Sequence, residues 1–353
     1  MVLQVQKAAC AAAEPAHPSA TASVPPGFHT VATSLLSGLA ELPCDVYLAT
    51  GGLAILYATV GSGSAELVRR LDGEAHILIR VEDEDLFRRS LAAGLRGVLA
   101  DVSLPPTERS RRAYAITSEV VRPLFGSGAV IERDGLAVTH AAVDALADSL
   151  TEDDDLVWSI VATMQRHLTT HTHAINTAIY AVVLAQYLRM AGREEILDTG
   201  RGALLHDIGK TRISERILDK PGPLTKPEWR VIHGHPETGL RLVTLALGRV
   251  PGYGHIIVEH HERADGSGYP GGRRGGQVAI DSQLVAIVDA FDAITSERSY
   301  KIASTPFEAL RIMRFEMAGQ FNDELLTEFI GLLGGWKKIR RGDLRALGAL
   351  AIG

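Results

Sequence analysis

The stretch ALLHDIGK, residues 203–210, sets a histidine and an aspartate side by side behind three residues suited to burial, and closes on Gly-Lys. Neighbouring residues on an α-helix diverge by about 100°, so His206 and Asp207 can address one centre only at an open face or a helix end. The Gly209-Lys210 pair supplies that end. The segment therefore predicts a helix terminus that opens on a cavity, and a helical fold that builds the cavity.

Outward from this point the pattern stays helical. Apolar-periodic segments cover 154–168, 172–191, 195–207, 227–247, 281–296 and 305–317, with joins such as KPGPLTKPEW and DGSGYPGGRRGG. Thr151 followed by EDDD predicts an N-cap with an acidic first turn. Upstream the pattern changes. CDVYLAT and LAILYATV read as strands around Gly51-Gly52, AELVRRL as a helix and AHILIR as a strand; EDLFRRSLAAGL and SRRAYAITSEVVRPLF then read as helices. The expected organisation is a disordered leader over 1–27, an α+β regulatory domain over 28–128, a connecting helix over 129–150, a helical domain over 151–335 and a basic tail over 336–353. The fold class is mainly α. The α+β unit holds no cluster of coordinating residues, so it is expected to sense or to pack, not to catalyse.

Bulk properties narrow the function. A net charge of −6 over 353 residues gives no basic field to recruit DNA, RNA or anionic lipid. The one dense basic run, KKIRRGDLR, reads as a solvated terminal face. Cys10 and Cys44 form no CxxC pair and no disulfide framework, which fits a reducing cytoplasm. No run of about 18 uninterrupted apolar residues predicts a membrane span, and no basic n-region with an h-region predicts a signal peptide. The expected location is the cytoplasm.

Nine of the thirteen histidines fall between 167 and 261. Six positions there can chelate: His173, His206, Asp207, His235, His260 and His261. A seventh, Asp289, is an acid inside the otherwise apolar VAIVDAFDAITS. Mixed imidazole and carboxylate donors suit divalent first-row metals, and two metals need a carboxylate that can bridge them. The absence of thiolates excludes the usual structural zinc site. No Ser-His or Cys-His pair offers a protein nucleophile.

HDIGK, HHERADGSGYP and VDAFDAITSERSYK together resemble the HD-GYP subgroup of the HD phosphohydrolase superfamily, over residues 151–333. The segment before them resembles, more loosely, the regulatory domains that precede such modules. The resemblance implies an HD-type helical bundle that holds two or three metals, commonly iron or manganese. Its implied activity is hydrolysis of cyclic di-GMP to linear pGpG, and on to GMP, in bacterial second-messenger signalling, with water activated between the metals. On this chain, His173, His206, Asp207 and Asp289 would hold one metal. Asp207 would bridge to a second, held by His235, His260 and His261. Lys210 would lie beside the scissile phosphate, Arg298 and Lys301 would contact substrate phosphates, and Tyr269 would border the site. Members with a third metal carry Glu where this chain has Thr169, so two metals are expected. Ala264 replaces an aromatic residue usual after HHER. Asp292 is expected to support a neighbour, Glu262 to orient a ligand imidazole, and His167, His171, His233 and His255 to lie at the surface or behind the ligands.

Other functions fit the same residues. One is a low-activity module that senses the nucleotide or docks a diguanylate cyclase domain through the GYP loop. Another is a different HD-type reaction, mononucleotide hydrolysis or iron-dependent oxygenation, against which the GYP segment speaks. A homodimer seam is expected along helices within 136–168.

Overall fold

The computed structural model describes residues 24–71, 76–164, 169–190, 192–220, 222–297 and 303–335. The leader to residue 23, His167, Arg298, Lys301 and the basic tail from 336 lie outside the described residues.

Two glycines make the first turn. Strands β2 (Val46–Thr50) and β3 (Leu53–Ala58) pair antiparallel with Thr50 opposite Leu53, leaving only Gly51 and Gly52 between them. Both glycines have positive φ, 59° and 80°, which a two-residue hairpin matched to the strand twist requires. With β1 (Phe28–Ala32) and β4 (His76–Arg80) they form one antiparallel sheet in the order β1-β4-β2-β3. Strands β2, β3 and β4 are those expected from the sequence; β1 is an addition. Helix α1 (Ser64–Arg70) follows the hairpin. Val31, Val46, Ile77 and Ile79 are buried in one core with Phe87, Leu91 and Leu95 of α2 (Glu84–Ala100). Each such side chain, fully buried, contributes roughly 1.5–3 kcal/mol.

Helices α3 (Pro106–Val121) and α4 (Arg133–Glu152) join this unit to the rest. Helix α3 packs on α2 but also along α5 (Asp154–Thr163) and α6 (Thr170–Tyr187). Helix α4 packs on α2 and α3, and on α6 and α7 (Arg193–Leu205). The apolar face of α4, from Leu136 to Leu150, is buried inside the chain. Thr151 is not the helix start expected of it. Helix α4 runs through it, and Asp153 caps α5 by accepting from the Leu156 N–H at 3.0 Å.

The remaining elements are α8 (Glu215–Leu218), α9 (Lys226–His233), α10 (His235–Leu247), α11 (Gly254–Glu259), α12 (Ile280–Thr295), α13 (Pro306–Arg311) and α14 (Asp323–Gly335). The expected single helix over 227–247 is two, divided at Gly234. Helices α11 and α14 were not foreseen. Helix α12 runs through the centre, buried from Leu284 to Asp292, with Phe291 in edge contact with Tyr180 of α6 and Phe329 of α14. Among the described residues no helix is long and apolar enough to cross a membrane.

Candidate metal centre

Four helix ends and the middle of α12 converge on one buried spot. Helix α7 stops at Leu205, His206 caps it, and Asp207 opens a 3-10 turn over Ile208–Arg212 that carries Lys210. His235 is the first residue of α10. His260 caps α11, with His261 next. His173 stands in the first turn of α6, and Asp289 and Asp292 lie on one face of α12. All seven candidate ligands of the sequence reading are brought together here.

They form two groups: His173, His206 and Asp289; and Asp207, His235, His260 and His261. Asp207 faces both. Its Oδ2 lies 3.4 Å from His206 Nε2 and 3.9 Å from His173 Nε2, while its Oδ1 lies 3.2 Å from His235 Nε2 and 3.8 Å from His260 Nε2. Asp289 behaves similarly, with Oδ1 3.0 Å from His173 Nε2 and Oδ2 3.9 Å from His261 Nδ1.

Three of the imidazoles are oriented in the same way. Nδ1 of His206, His235 and His260 donates to the carbonyl three residues back, of Ala203, Ile232 and Ile257, at 2.6, 2.7 and 2.9 Å. The Nδ1–H tautomer leaves each Nε2 as a bare lone pair aimed inward. His235 and His260 then bring two such nitrogens within 3.2 Å of each other. His206 Nε2 and Asp207 Oδ1 are buried without any hydrogen-bond donor. Facing acceptors in a dry space are costly unless a cation lies between them. The donor set, imidazole and carboxylate without thiolate, suits divalent first-row metals.

The electrostatics agree. Burial and the neighbouring imidazoles hold His260 well below the usual histidine range, and burial does the same for His261, so both remain neutral donors. Burial opposes ionisation of Asp207, but the Lys210 ammonium beside it outweighs this and holds the carboxyl well below its usual range. His173 differs. Burial depresses it, yet hydrogen bonds to Asp289 and Asp292 raise it to about 10.

Other predicted residues take varied places. Lys210 Nζ donates to Asp207 Oδ2 at 2.5 Å while remaining partly open to solvent. The Tyr269 ring lies 4.7 Å from that of His261 and stacks on His233 at 3.9 Å, so it walls the site beside His261. Glu262 does not orient an imidazole. Its carboxylate accepts the backbone N–H groups of Gly271 at 2.6 Å and Arg273 at 2.9 Å, pinning the GYP loop. Asp292 Oδ2 meets His173 Nδ1 at 2.7 Å and fixes that ring. Thr169, where a third-metal Glu would stand, caps α6 instead through a reciprocal pair with Thr172. His171 contacts Thr169 Oγ1, and His255 pairs with Asp281. Two buried residues behind His173 were not among those expected: Asn176 donates to Asp292 Oδ1 at 3.0 Å and Tyr114 donates to Asn176 Oδ1 at 2.9 Å. Asn176 could have been found, being one turn from His173 on the same helix; Tyr114, on α3, left no signal.

Residues 155–325 match the HD domain family. This segment is an HD domain. The Gly-Tyr-Pro at 268–270 is the motif on which the resemblance to the HD-GYP subgroup rests. A cyclic di-GMP phosphodiesterase of Pseudomonas aeruginosa is 32% identical over 197 residues, 55% of this chain and 47% of that protein. A cyclic di-GMP phosphodiesterase response regulator of Xanthomonas campestris is 40% identical over 131 residues, 37% of this chain and 34% of that one. A 3′3′-cGAMP-specific phosphodiesterase of Vibrio cholerae is 35% identical over 144 residues, 41% of this chain and 31% of its own. The chain spans about half or less of the length of these relatives. Among solved structures, an HDG"Y"P protein from Bdellovibrio bacteriovorus superposes with a TM-score of 0.63 at 18% identity, covering 87% of this chain and all of that one. The shared fold therefore extends beyond the HD domain into the N-terminal half.

Proposed function

We propose that the protein is a metal-dependent cyclic dinucleotide phosphodiesterase that opens cyclic di-GMP to linear pGpG. The observation that carries this reading is the position of Asp207, whose two oxygens face two separate groups of buried, inward-aimed imidazoles. His173, His206, Asp207 and Asp289 would hold one divalent metal, and Asp207, His235, His260 and His261 the other, with iron or manganese the favoured ions. Bound there, the two metals would supply positive charge for the phosphate and make water a competent nucleophile at neutral pH.

The chain's own residues supply the rest. Hydrolysis forms a bond from water oxygen to phosphorus and breaks the bond to the 3′ oxygen, passing through a dianionic arrangement. Lys210, tied to Asp207 but open on its outer side, puts a cation at the mouth where that charge grows. Tyr269, held by its stack on His233 and by the Glu262-pinned loop, closes one wall. Arg298 and Lys301 are proposed as further phosphate contacts. The three carbonyl-anchored imidazoles cannot swivel, so the site is arranged before substrate arrives.

The test is hydrolysis by protein purified without oxygen, loaded with Fe(II) or Mn(II), and offered cyclic di-GMP and 3′3′-cGAMP in parallel. Metal-dependent pGpG, absent in Asp207→Ala, is the expected result. Lys210→Met should keep both metals and lose on the order of 10²-fold in rate. Cleavage of 3′3′-cGAMP alone would move the substrate; metal loading without either product would refute the enzyme reading.

A further inference from the structure

A line of buried hydrogen bonds leaves the metal centre and ends outside the HD domain. His173 Nδ1 meets Asp292 Oδ2 at 2.7 Å, Asn176 Nδ2 donates to Asp292 Oδ1 at 3.0 Å, and the Tyr114 hydroxyl donates to Asn176 Oδ1 at 2.9 Å. Ser296 Oγ adds a longer contact of 3.4 Å to Asp292 Oδ2. All four principal members are buried, at 6%, 3%, 2% and 3% exposure from His173 to Tyr114. Tyr114 belongs to α3, before the first residue matched to the HD family.

We propose that Tyr114 is a positioning residue for the metal centre, through which α3 helps to set the orientation of the His173 ring. The inference rests on reading the two His/Asp groups as metal sites. Its chemistry is directional. Asn176 has one carbonyl oxygen and one NH₂ group, and a carboxylate can only accept. The NH₂ must therefore face Asp292, which turns the carbonyl towards α3, where the tyrosine O–H satisfies it. With that bond the amide is locked, the carboxylate is held from two sides, and the imidazole on its other oxygen has one position. Without it, a buried amide oxygen loses that donor and the amide and carboxylate gain freedom to rotate. Outer partners of ligand histidines influence metal affinity by roughly 10–100-fold; one bond further out, an effect of about three- to tenfold is expected. The same route makes the packing of α3 a determinant of metal affinity.

Tyr253 provides a matched control. It is also 3% exposed, and its hydroxyl meets His140 Nε2 at 2.9 Å, away from the His173 line. Tyr114→Phe and Tyr253→Phe each remove one buried hydroxyl and keep the ring. Metal-free protein of each kind would be titrated with Mn(II), free Mn(II) being read by electron paramagnetic resonance, with thermal unfolding of the same samples. Both variants should lose some stability. Only Tyr114→Phe should weaken Mn(II) binding by about three- to tenfold, and a second substitution, Asn176→Ala, should abolish any further effect of Tyr114→Phe. Equal Mn(II) affinity in wild type and Tyr114→Phe, or equal weakening in both Phe variants, would reduce Tyr114 to a packing residue. Wild-type protein that takes up no Mn(II) would overturn the metal-site reading and this inference with it.

Discussion

A methyl group at position 209 would lie 2.0 Å from the carbonyl oxygen of His235 and 2.7 Å from the Gly239 amide nitrogen. Gly209 follows Asp207 by two residues, so the lack of a side chain lets the backbone that carries Asp207 rest directly on the first turn of α10, which carries His235. That contact sets the 3.2 Å separation of the two candidate ligands. The glycine of HDIGK thus has a role beyond ending a helix. In Gly209→Ala the backbone must move, because the obstructing atoms belong to the chain and not to a flexible side-chain tip. Overpacking of this kind costs about 1–3 kcal/mol. The expected outcome is a folded protein with a lowered melting point that binds less metal at the proposed His235, His260 and His261 site while retaining part of the other. Metal counting on purified protein reads this; full occupancy of both sites would show that α10 can recede without harm.

Among the elements, the stretch Gly271–Arg273 that follows Tyr269 and Pro270 is pinned by the carboxylate of Glu262. Glu262 accepts two backbone N–H groups there, and charge-assisted bonds of this type are worth about 1.5–3 kcal/mol each. In Glu262→Gln one oxygen becomes an NH₂ donor aimed at a donor. Amide hydrogen exchange at 271–273 should rise markedly, and Tyr269 should leave its stack on His233. Unchanged exchange would mean that Glu259, which ties down Arg273 and the Ala279 N–H, suffices alone. This dependence was invisible in the sequence, where Glu262 stood next to two histidines and read as their partner. The seven clustered candidate ligands were legible because imidazoles and acids stand out within apolar helical patterns. Element boundaries were less so. The apolar period runs on through Gly234, but Pro236 has no N–H to continue α9 and fits only in the first turn of a new helix, which puts His235 at an N-terminus. Helix α11 is only six residues long, too short for periodicity to register. Thr151 carried the composition of a cap, yet Asp153 had the geometry.

At the scale of the whole molecule, α4 ties the two halves together, and one of its ties is titratable. His140 on α4 meets the Tyr253 hydroxyl at the start of α11, the helix whose end presents His260. Burial, aided by the nearby Arg201 guanidinium and opposed by Asp144, lowers His140 from 6.5 to about 4. A histidine kept neutral by folding is protonated first in the unfolded chain. Its contribution is therefore fully present above pH 6.5 and is lost as pH falls from 6.5 through 4, by up to about 3 kcal/mol. In His140→Gln the amide oxygen can still accept the tyrosine hydroxyl, but no proton is taken up on unfolding. Other groups are common to both proteins, so the difference between the two curves isolates position 140. Thermal midpoints of metal-free wild type and His140→Gln, measured between pH 4 and 8, should run parallel above 6.5, and below it the wild-type curve should fall relative to that of the variant, as proton uptake at this position acts on the wild type alone. Parallel curves down to pH 4 would show that His140 titrates alike in both states. The seam between α4 and α11 would then hold by packing, with no dependence on the charge of this histidine.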